Sequence, residues 1–268
     1  MILPSDDRGS PLKLVSVLGH QVGVWRFGSA GGWPLVWNHG GLICGLDAKL
    51  IATAGRRCGA DIISIDRPGI GYSDLWRMTS VAEWPRIVEQ VADLLHLSEF
   101  AVAGWSGGGP YALACAAAMP NRVRAVATVA GMVPLERAGH IFELGLWADG
   151  VVIPTAHVAP RVAAPLFWLA RWAPDRYLAW EAVRGATSST DRTALKLALP
   201  TLMTAIREAT RGGVSGMVDE YRRYYGSWGF APGEVRQPVT IWQEKTTSVC
   251  RWVMPVVWKA CCPTANSG

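Results

Sequence analysis

The chain has 268 residues, half of them apolar, which is enough for one large domain or for one domain that carries an insertion. A composition this apolar excludes a disordered chain. The formal net charge of +5 is small, and basic residues are adjacent only at Arg56–Arg57 and Arg222–Arg223. The sequence therefore offers no basic stripe for nucleic acid, and we expect no nucleic-acid partner.

The N-terminal residues, the apolar runs and the cysteines indicate in which cellular compartment the protein is expected. The first 12 residues carry Asp6, Asp7 and Arg8 without an apolar segment, which is not typical of a signal peptide. No run of about 18 uninterrupted apolar residues is present, so we predict no membrane span. The six cysteines are either dispersed or confined to the last 19 residues, which does not resemble a secreted disulfide framework. We expect a reduced, cytoplasmic protein.

Strand-like and helix-like segments alternate through the first half of the chain. In chain order, the patterns predict a hairpin of Lys13–Leu18 and Gln21–Phe27 turning at Gly19–His20, a strand at Pro34–Trp37, a helix from about Leu46 to Arg57, a strand at Asp61–Ile65, a helix at Val81–His96, a strand at Glu99–Ala103, a helix to about Met119 and a strand at Val123–Val129. This alternation predicts an α/β fold, with a mostly parallel sheet and helices on both faces. Gly-rich loops follow residues 37, 65 and 103, at the carboxyl ends of strands, where such sheets bind ligands.

The second half changes character. Strand signals are absent from about residue 134 to 230, and helical spacing dominates, as in Leu195, Leu199, Leu202 and Ile206. The sequence PVTIW at 238–242 then predicts a return to the sheet. We therefore predict a core over residues 1–133, an inserted helical lid over 134–230, a return strand within 231–243 and a separate tail over 244–268.

The strongest motif follows the strand at Glu99–Ala103. Residues 104–108 have the G-x-S-x-G spacing of a nucleophile elbow, which holds a serine on a sharp strand-to-helix turn. Gly104 and Gly108 would let the strand and the helix cross closely. We predict Ser106 as the nucleophile. In hydrolases with this elbow the base histidine comes last in the chain, but no histidine follows His157.

Four motifs together resemble one family. They are NHGG at 38–41, DRPGIGYS at 66–73, GWSGGGPYALA at 104–114 and WGF at 228–230. With them, residues from about 12 to 243 resemble the α/β-hydrolase superfamily, specifically its lidded, esterase-like branch. The resemblance implies a serine hydrolase that acts on an ester-like small-molecule substrate through an acyl-enzyme and needs no cofactor or metal. Relatives with the same elbow also cleave carbon–carbon bonds or peptides with an N-terminal proline, and the sequence leaves those alternatives open.

The resemblance also assigns roles near the nucleophile. One oxyanion-hole N–H belongs to Gly107, and the other belongs to Gly41 or Leu42. His39 orients its loop and does not act as the base. Trp105 either lines the pocket or packs in the core.

Other polar residues are weaker candidates. Asp66 and Arg67 are expected to scaffold their loop, as an ion pair or otherwise, and Glu136 and Glu244 are weak candidates for the catalytic acid. The remaining histidines, His20, His96, His140 and His157, are expected at the surface or in satisfied positions. Tryptophans in the lid, Trp147, Trp168, Trp172 and Trp180, favour an apolar substrate.

The tail after Gln243 departs from the family pattern of an acid turn, a helix, a last strand and a histidine. If the reading frame is shifted by one base, each new codon consists of the last base of one residue's codon and the first two bases of the next. The amino acid encoded by the new codon is then fully determined at three junctions: Trp252–Val253 gives Gly, Met254–Pro255 gives Ala and Trp258–Lys259 gives Glu. With G- or C-ending codons elsewhere wherever possible, Val249 onward can be read as VPMGHARRLEGLLPDGELR, which restores the family pattern. We infer a single-base frameshift near Gln243–Glu244 in a GC-rich gene.

A frameshift there would remove the acid, the base, the last strand and its helices. We therefore expect a chain that is truncated, less stable and inactive. The alternative is a non-catalytic pseudoenzyme or a binder of small ligands. The sequence gives no indication of the oligomeric state.

Overall fold

A mixed, mostly parallel sheet forms the centre of the protein. The computed structural model describes residues 12–135, 147–172, 189–242 and 265–267. Its strands are β1 (Leu12–Val17), β2 (His20–Gly28), β3 (Trp33–Asn38), β4 (Ala60–Ile65), β5 (Phe100–Trp105), β6 (Val123–Val129), β7 (Val239–Trp242) and β8 (Ala265–Ser267). They lie in the order β1-β2-β4-β3-β5-β6-β7-β8. Among the strand pairs of these described ranges, only β1–β2 and β2–β4 are antiparallel, so the predicted mostly parallel sheet is confirmed.

Helices connect the parallel strands. The α-helices of the described residues are α1 (Ala52–Cys58), α2 (Trp84–Leu94), α3 (Gly109–Ala118), α4 (Trp147–Val158), α5 (Pro160–Trp172), α6 (Ser189–Ala209) and α7 (Ser215–Tyr224). Short 3₁₀ turns cover Gly45–Ile51, Val81–Glu83, Ser106–Gly108 and Pro232–Glu234. The predicted helix from Leu46 to Arg57 is thus a 3₁₀ segment followed by two turns of α-helix.

The first hairpin differs from its prediction by one residue. Its turn is Leu18–Gly19, with φ of 52° and 81°, and His20 already belongs to β2. A two-residue hairpin turn with positive φ at both positions matches the twist of the flanking strands, which explains the register.

Side chains of the central strands alternate between two apolar layers, because successive residues of a strand point to opposite faces. Val36 of β3 and Val102 of β5 contribute to the large cluster that α2 and α3 cover. Their neighbours Trp37 and Ala103 contribute to a smaller cluster on the opposite face, together with Ala48 of the 3₁₀ segment. Helices therefore cover both faces, as the alternating sequence pattern predicted.

The helices α4 to α7 occupy the chain between β6 and β7. Buried residues such as Ile153, Phe167 and Met217 join them to the large apolar cluster. Within the part of the chain that the structure describes, no helix combines the length and the apolar character that crossing a membrane requires.

The tail requires a correction to the expectation that the last strand is missing. Ala265–Ser267 pair in parallel with Val239–Ile241 as β8. The edge of β7 presents unpaired backbone N–H and C=O groups, and three residues of almost any sequence can hydrogen-bond to such an edge. Residues 243–264, which contain the inferred frameshift junction, lie outside the described residues.

Candidate active site

The turn after β5 holds Ser106 in an unusual conformation. Its φ of +51° is left-handed, which costs energy for any residue other than glycine and is concentrated at functional sites. A Cβ on Gly104 would collide with the carbonyl of Gly108, and a Cβ on Gly108 would collide with the carbonyl of Asn38. Because neither glycine has a Cβ, the strand and the following helix can cross closely at these positions. The crossing leaves the partly buried Ser106 at the edge of the sheet.

The loop after β3 lies directly beside this turn. Asn38 and Gly104 are paired residues of adjacent parallel strands, so the two strands end at the same level. In the sheet, β4 and β5 lie on opposite sides of β3. The connections that follow β3 and β4 therefore run in opposite directions, which opens a crevice at the carboxyl ends of the strands. Asn38 ties the two strand ends together, since its side chain donates to Ala103 O (3.0 Å) and accepts from Trp84 Nε1 (2.7 Å).

The residues predicted to form an oxyanion hole lie together. A Cβ built on Gly107 would lie 3.1 Å from Gly41 N, so these two backbone segments face each other next to Ser106. Leu42 has a φ of +64°, and Ala130, after β6, has a φ of +45°. Backbone strain is thus concentrated at the carboxyl edge of the sheet. Which N–H donates to an oxyanion stays a prediction.

His39 is buried and its ring is engaged by Arg67. The Arg67 guanidinium donates to His39 O at 2.8 Å and to Gly40 O at 2.8 Å, and its Nη2 lies 2.8 Å from His39 Nδ1. His39 Nδ1 also lies 2.9 Å from Gly40 O, and His39 Nε2 accepts from Arg67 N at 3.4 Å, so both ring nitrogens are engaged. Burial, and secondly the charge of Arg67, lowers the pKa of His39 well below its usual value, so the ring is neutral. A neutral ring whose two nitrogens are both engaged by its own loop and by Arg67 suits a residue that holds its loop.

The partner of Arg67 is a carboxylate that sequence reasoning missed. Arg67 forms an ion pair with Glu220 of α7, and both side chains are fully buried. The expectation of an ion pair between Arg67 and Asp66 is therefore replaced, because Asp66 accepts hydrogen bonds from Gly45 N (2.7 Å) and Tyr72 N (2.9 Å) instead. Sequence spacing contained a signal for Glu220.

That signal is the position of Glu220 on an apolar helical face. Met217, Tyr221 and Tyr224 have helical spacing and are buried, and Glu220 lies on the same face. A carboxylate on a buried face must have a partner. Glu220 Oε1 also accepts a hydrogen bond from Tyr224 Oη at 2.7 Å. Among the described residues, Glu220 Oε2 and Arg67 Nε have no hydrogen-bond partner.

Two further buried carboxylates support the loop after β3. Asp47 accepts from Gly40 N at 3.2 Å, and burial raises its pKa to about 7. Burial likewise raises the pKa of Asp66 to about 6. Both groups are anchored by backbone N–H groups and belong to the scaffold of the site.

Among the described residues, none is hydrogen-bonded to the Ser106 hydroxyl as an acid or base. Glu136, Glu244 and His140 lie outside the described residues. His39 belongs to the loop beside Ser106, but its ring is engaged by Arg67. The other described histidines lie elsewhere: His20 stacks on Trp76 at 4.6 Å, His157 contacts Tyr225 at 4.7 Å, and His96 is exposed. Within the described ranges, the Ser106 hydroxyl forms no hydrogen bond to another side chain.

The aromatic residues near the site differ from those expected. Trp168 and Trp172 are 40% and 74% exposed, so they do not enclose a pocket. They lie on one face of α5, four residues apart, with the Arg171 guanidinium 5.8 Å and 5.7 Å from their rings. Trp147 has no described side chain, and residue 180 lies outside the described ranges. Trp105 is partly buried and packs against both apolar clusters.

Tyr221 supplies an aromatic wall that the sequence did not reveal. A Cβ on Gly41 would lie 3.0 Å from Tyr221 Oη, so this ring lies over the loop after β3. Phe167 packs edge-on against Tyr221, with ring centroids 5.0 Å apart.

Comparisons with known proteins agree with this geometry. A family model described as "alpha/beta hydrolase fold" matches residues 34–205. A search of curated proteins found no match. Solved structures with the same architecture include an α/β hydrolase fold protein from Chitinophaga pinensis, which is 17% identical with a TM-score of 0.69 over 97% of this chain and 88% of that one.

Two other solved structures are similar. An esterase from Rhodococcus sp. ECU1013 is 18% identical with a TM-score of 0.65, over 96% of this chain and 89% of that one. An enol-lactonase from Burkholderia xenovorans LB400 is 14% identical with a TM-score of 0.63, over 95% and 90%. At such identities the likeness shows a shared fold.

Proposed function

Because the chain belongs to the α/β hydrolase fold family, we propose that its scaffold is that of a serine hydrolase for ester-like, apolar small molecules. The observation that carries the proposal is the left-handed Ser106, partly exposed on a strand-to-helix turn that faces Gly41. The solved structures of similar fold include an esterase and an enol-lactonase, which supports acyl transfer as the reaction class.

The proposed reaction proceeds through an acyl-enzyme. With a base histidine in place, Ser106 Oγ attacks the ester carbonyl carbon as the base takes the hydroxyl proton and passes it to the alcohol whose C–O bond breaks. The same base then deprotonates the water that releases the acid. The backbone N–H of Gly107 and that of Gly41 or Leu42 stabilise the oxyanion, because they are fixed before the charge develops. The aromatic ring of Tyr221 would contact the apolar part of the substrate, with α4 to α7 acting as the lid.

We further propose that the chain as written is inactive. Its last histidine in sequence is His157, which contacts Tyr225 and not the serine. Loss of the base histidine costs on the order of 10⁶ in kcat in a serine protease, since nothing then removes the hydroxyl proton. A non-catalytic role, as a pseudoenzyme that binds small apolar ligands, is the second candidate, and the missing base favours it.

Restoring the reading frame tests both proposals. A gene corrected by one base near Gln243 should yield a protein that hydrolyses p-nitrophenyl butyrate and is labelled by a fluorophosphonate at Ser106. The chain as written should show no hydrolysis above its own Ser106→Ala variant. That variant in the corrected chain is the matched control for background hydrolysis.

The outcomes separate the two proposals. An inactive, folded corrected protein would overturn the esterase assignment. Fluorophosphonate labelling of Ser106 in the chain as written, with a pH profile that requires a deprotonated base, would overturn the inactivity.

A further inference from the structure

One cavity is lined by residues outside the candidate active site, and most of them are polar or charged. It has a volume of about 180 Å³ and lies between α4, α7 and the segment before the 3₁₀ turn Val81–Glu83. None of its lining residues belongs to the elbow or to the loop after β3. Its polar lining includes Arg77, Thr79, His157, Arg222, Arg223 and Ser227. We call this cavity the arginine pocket.

Arg223 is the central residue of the arginine pocket. Its side chain is only 6% exposed, and it makes two long hydrogen bonds, from Nε to Tyr111 Oη (3.3 Å) and from Nη1 to Met78 O (3.4 Å). Its Nη2 is buried and has no hydrogen-bond partner among the described residues. A buried guanidinium donor without an acceptor is costly, and such a group calls for a ligand that supplies one.

The charges around Arg223 leave the pocket positive. Glu220 is paired with Arg67, and Glu83 accepts hydrogen bonds from Thr79 and Ser80. Both carboxylates have other hydrogen-bond partners, and both also attract the Arg223 guanidinium without bonding to it.

Asp219 is the carboxylate that lines the pocket itself, and it lies 3.7 Å from Arg222 of the same helix. One carboxylate thus faces three guanidiniums, those of Arg77, Arg222 and Arg223. An excess of fixed positive charge in a small concave site attracts an anion.

We propose that the arginine pocket binds a phosphate group. Three guanidiniums can each present donors to the oxygens of one tetrahedral dianion, and guanidinium forks match phosphate better than they match a point charge. Arg77, Arg222 and Arg223 donate from the lining of the pocket, and the hydroxyls of Thr79 and Ser227 complete the ligand set.

The bound phosphate would join three parts of the chain that lie far apart in sequence. His157 belongs to α4, Arg222 and Arg223 belong to α7, and Arg77 belongs to the loop after β4. A ligand that binds only the folded chain stabilises it by mass action. Phosphate should therefore raise the unfolding temperature of the protein.

The test is a phosphate titration of the full chain, followed by thermal unfolding at constant ionic strength, with sodium chloride as the reference salt. The double variant Arg77→Gln/Arg222→Gln removes two partly or fully exposed members of the site. Its charge-matched control is Arg57→Gln/Arg86→Gln, which removes two exposed arginines of α1 and α2. Titrations with inorganic phosphate and with methyl phosphate distinguish a free ion from a phosphate monoester as the source.

A saturable rise in unfolding temperature is expected for the full chain and for the control. The apparent Kd for phosphate should weaken by about ten-fold or more in Arg77→Gln/Arg222→Gln. Arg223→Met, folded by circular dichroism, should show no saturable rise at all. Equal stabilisation by chloride, or an unchanged Kd in the double variant, would overturn the proposal.

Discussion

The buried ion pair between α7 and the loop after β4 leads to a quantitative prediction about stability. Replacing Glu220 by Gln keeps the shape and one acceptor oxygen, but it leaves the fully buried Arg67 guanidinium without its counter-charge. Two unit charges about 4 Å apart at an effective dielectric constant of 20 attract each other by about 4 kcal/mol. Breaking buried pairs by removing one partner costs about 3–5 kcal/mol in other proteins. We therefore expect Glu220→Gln to lower the unfolding free energy by about 3–5 kcal/mol.

Urea unfolding, followed by the fluorescence of the 14 tryptophans and by circular dichroism, measures this loss. The matched control is Glu99→Gln, which breaks an ion pair with Arg124 at the surface, where the two side chains are 41% and 52% exposed. Water screens that pair, so no measurable change is expected. A double-mutant cycle is formed by Arg67→Met, Glu220→Met and Arg67→Met/Glu220→Met.

The cycle isolates the interaction from the side effects of each single change. The double variant should lose less stability than the sum of the two single variants, because neither charge is left buried alone. Equal losses in Glu220→Gln and Glu99→Gln would refute the reasoning, as would strict additivity in the cycle.

Three further changes test the scaffold of the site. Burial raises the pKa of Asp47 from 3.8 to about 7, so its stabilising contribution is complete below pH 3.8 and is lost as the pH rises towards 7. Asp47→Asn should remove that fall from the pH profile of urea unfolding, and an unchanged slope would contradict the assignment. Gly104→Ala places a methyl group against the Gly108 carbonyl and should cost about 1–3 kcal/mol or more, measured by thermal unfolding. Asn38→Leu leaves Trp84 Nε1 buried without an acceptor and should cost about 1–3 kcal/mol in the same assay.

The parts of the molecule that the sequence predicted share a physical origin. Strand and helix order, and the meeting of Gly41, Ser106 and Gly107 at one edge, follow from local periodicity and from the rule that parallel strands align their carboxyl ends. Glycine spacing at residues 104 and 108 is likewise local information, since close backbone crossing excludes every other residue.

The features that the sequence did not reveal depend on contacts between distant segments. The partner of Arg67 lies 153 positions later in the chain, and helical spacing marks Glu220 as buried without identifying what it contacts. Tryptophan is a residue type typical of pocket walls, yet the packing of α5 leaves Trp168 and Trp172 exposed to solvent. Pairing of Ala265–Ser267 with β7 reflects an open strand edge, which has no signature in the residues that occupy it.

The ion pair between Arg67 and Glu220 also has a mechanical consequence. Any outward swing of α7 would pull a buried carboxylate away from a buried guanidinium, and it would also break the Tyr224 hydrogen bond to Glu220. That cost fixes α7 to the sheet as though it were a core helix, although it belongs to the segment between β6 and β7 for which we propose the role of a lid. Movements that admit a ligand to Ser106 must therefore hinge on the N-terminal side of α7 and leave the wall formed by Tyr221 in place.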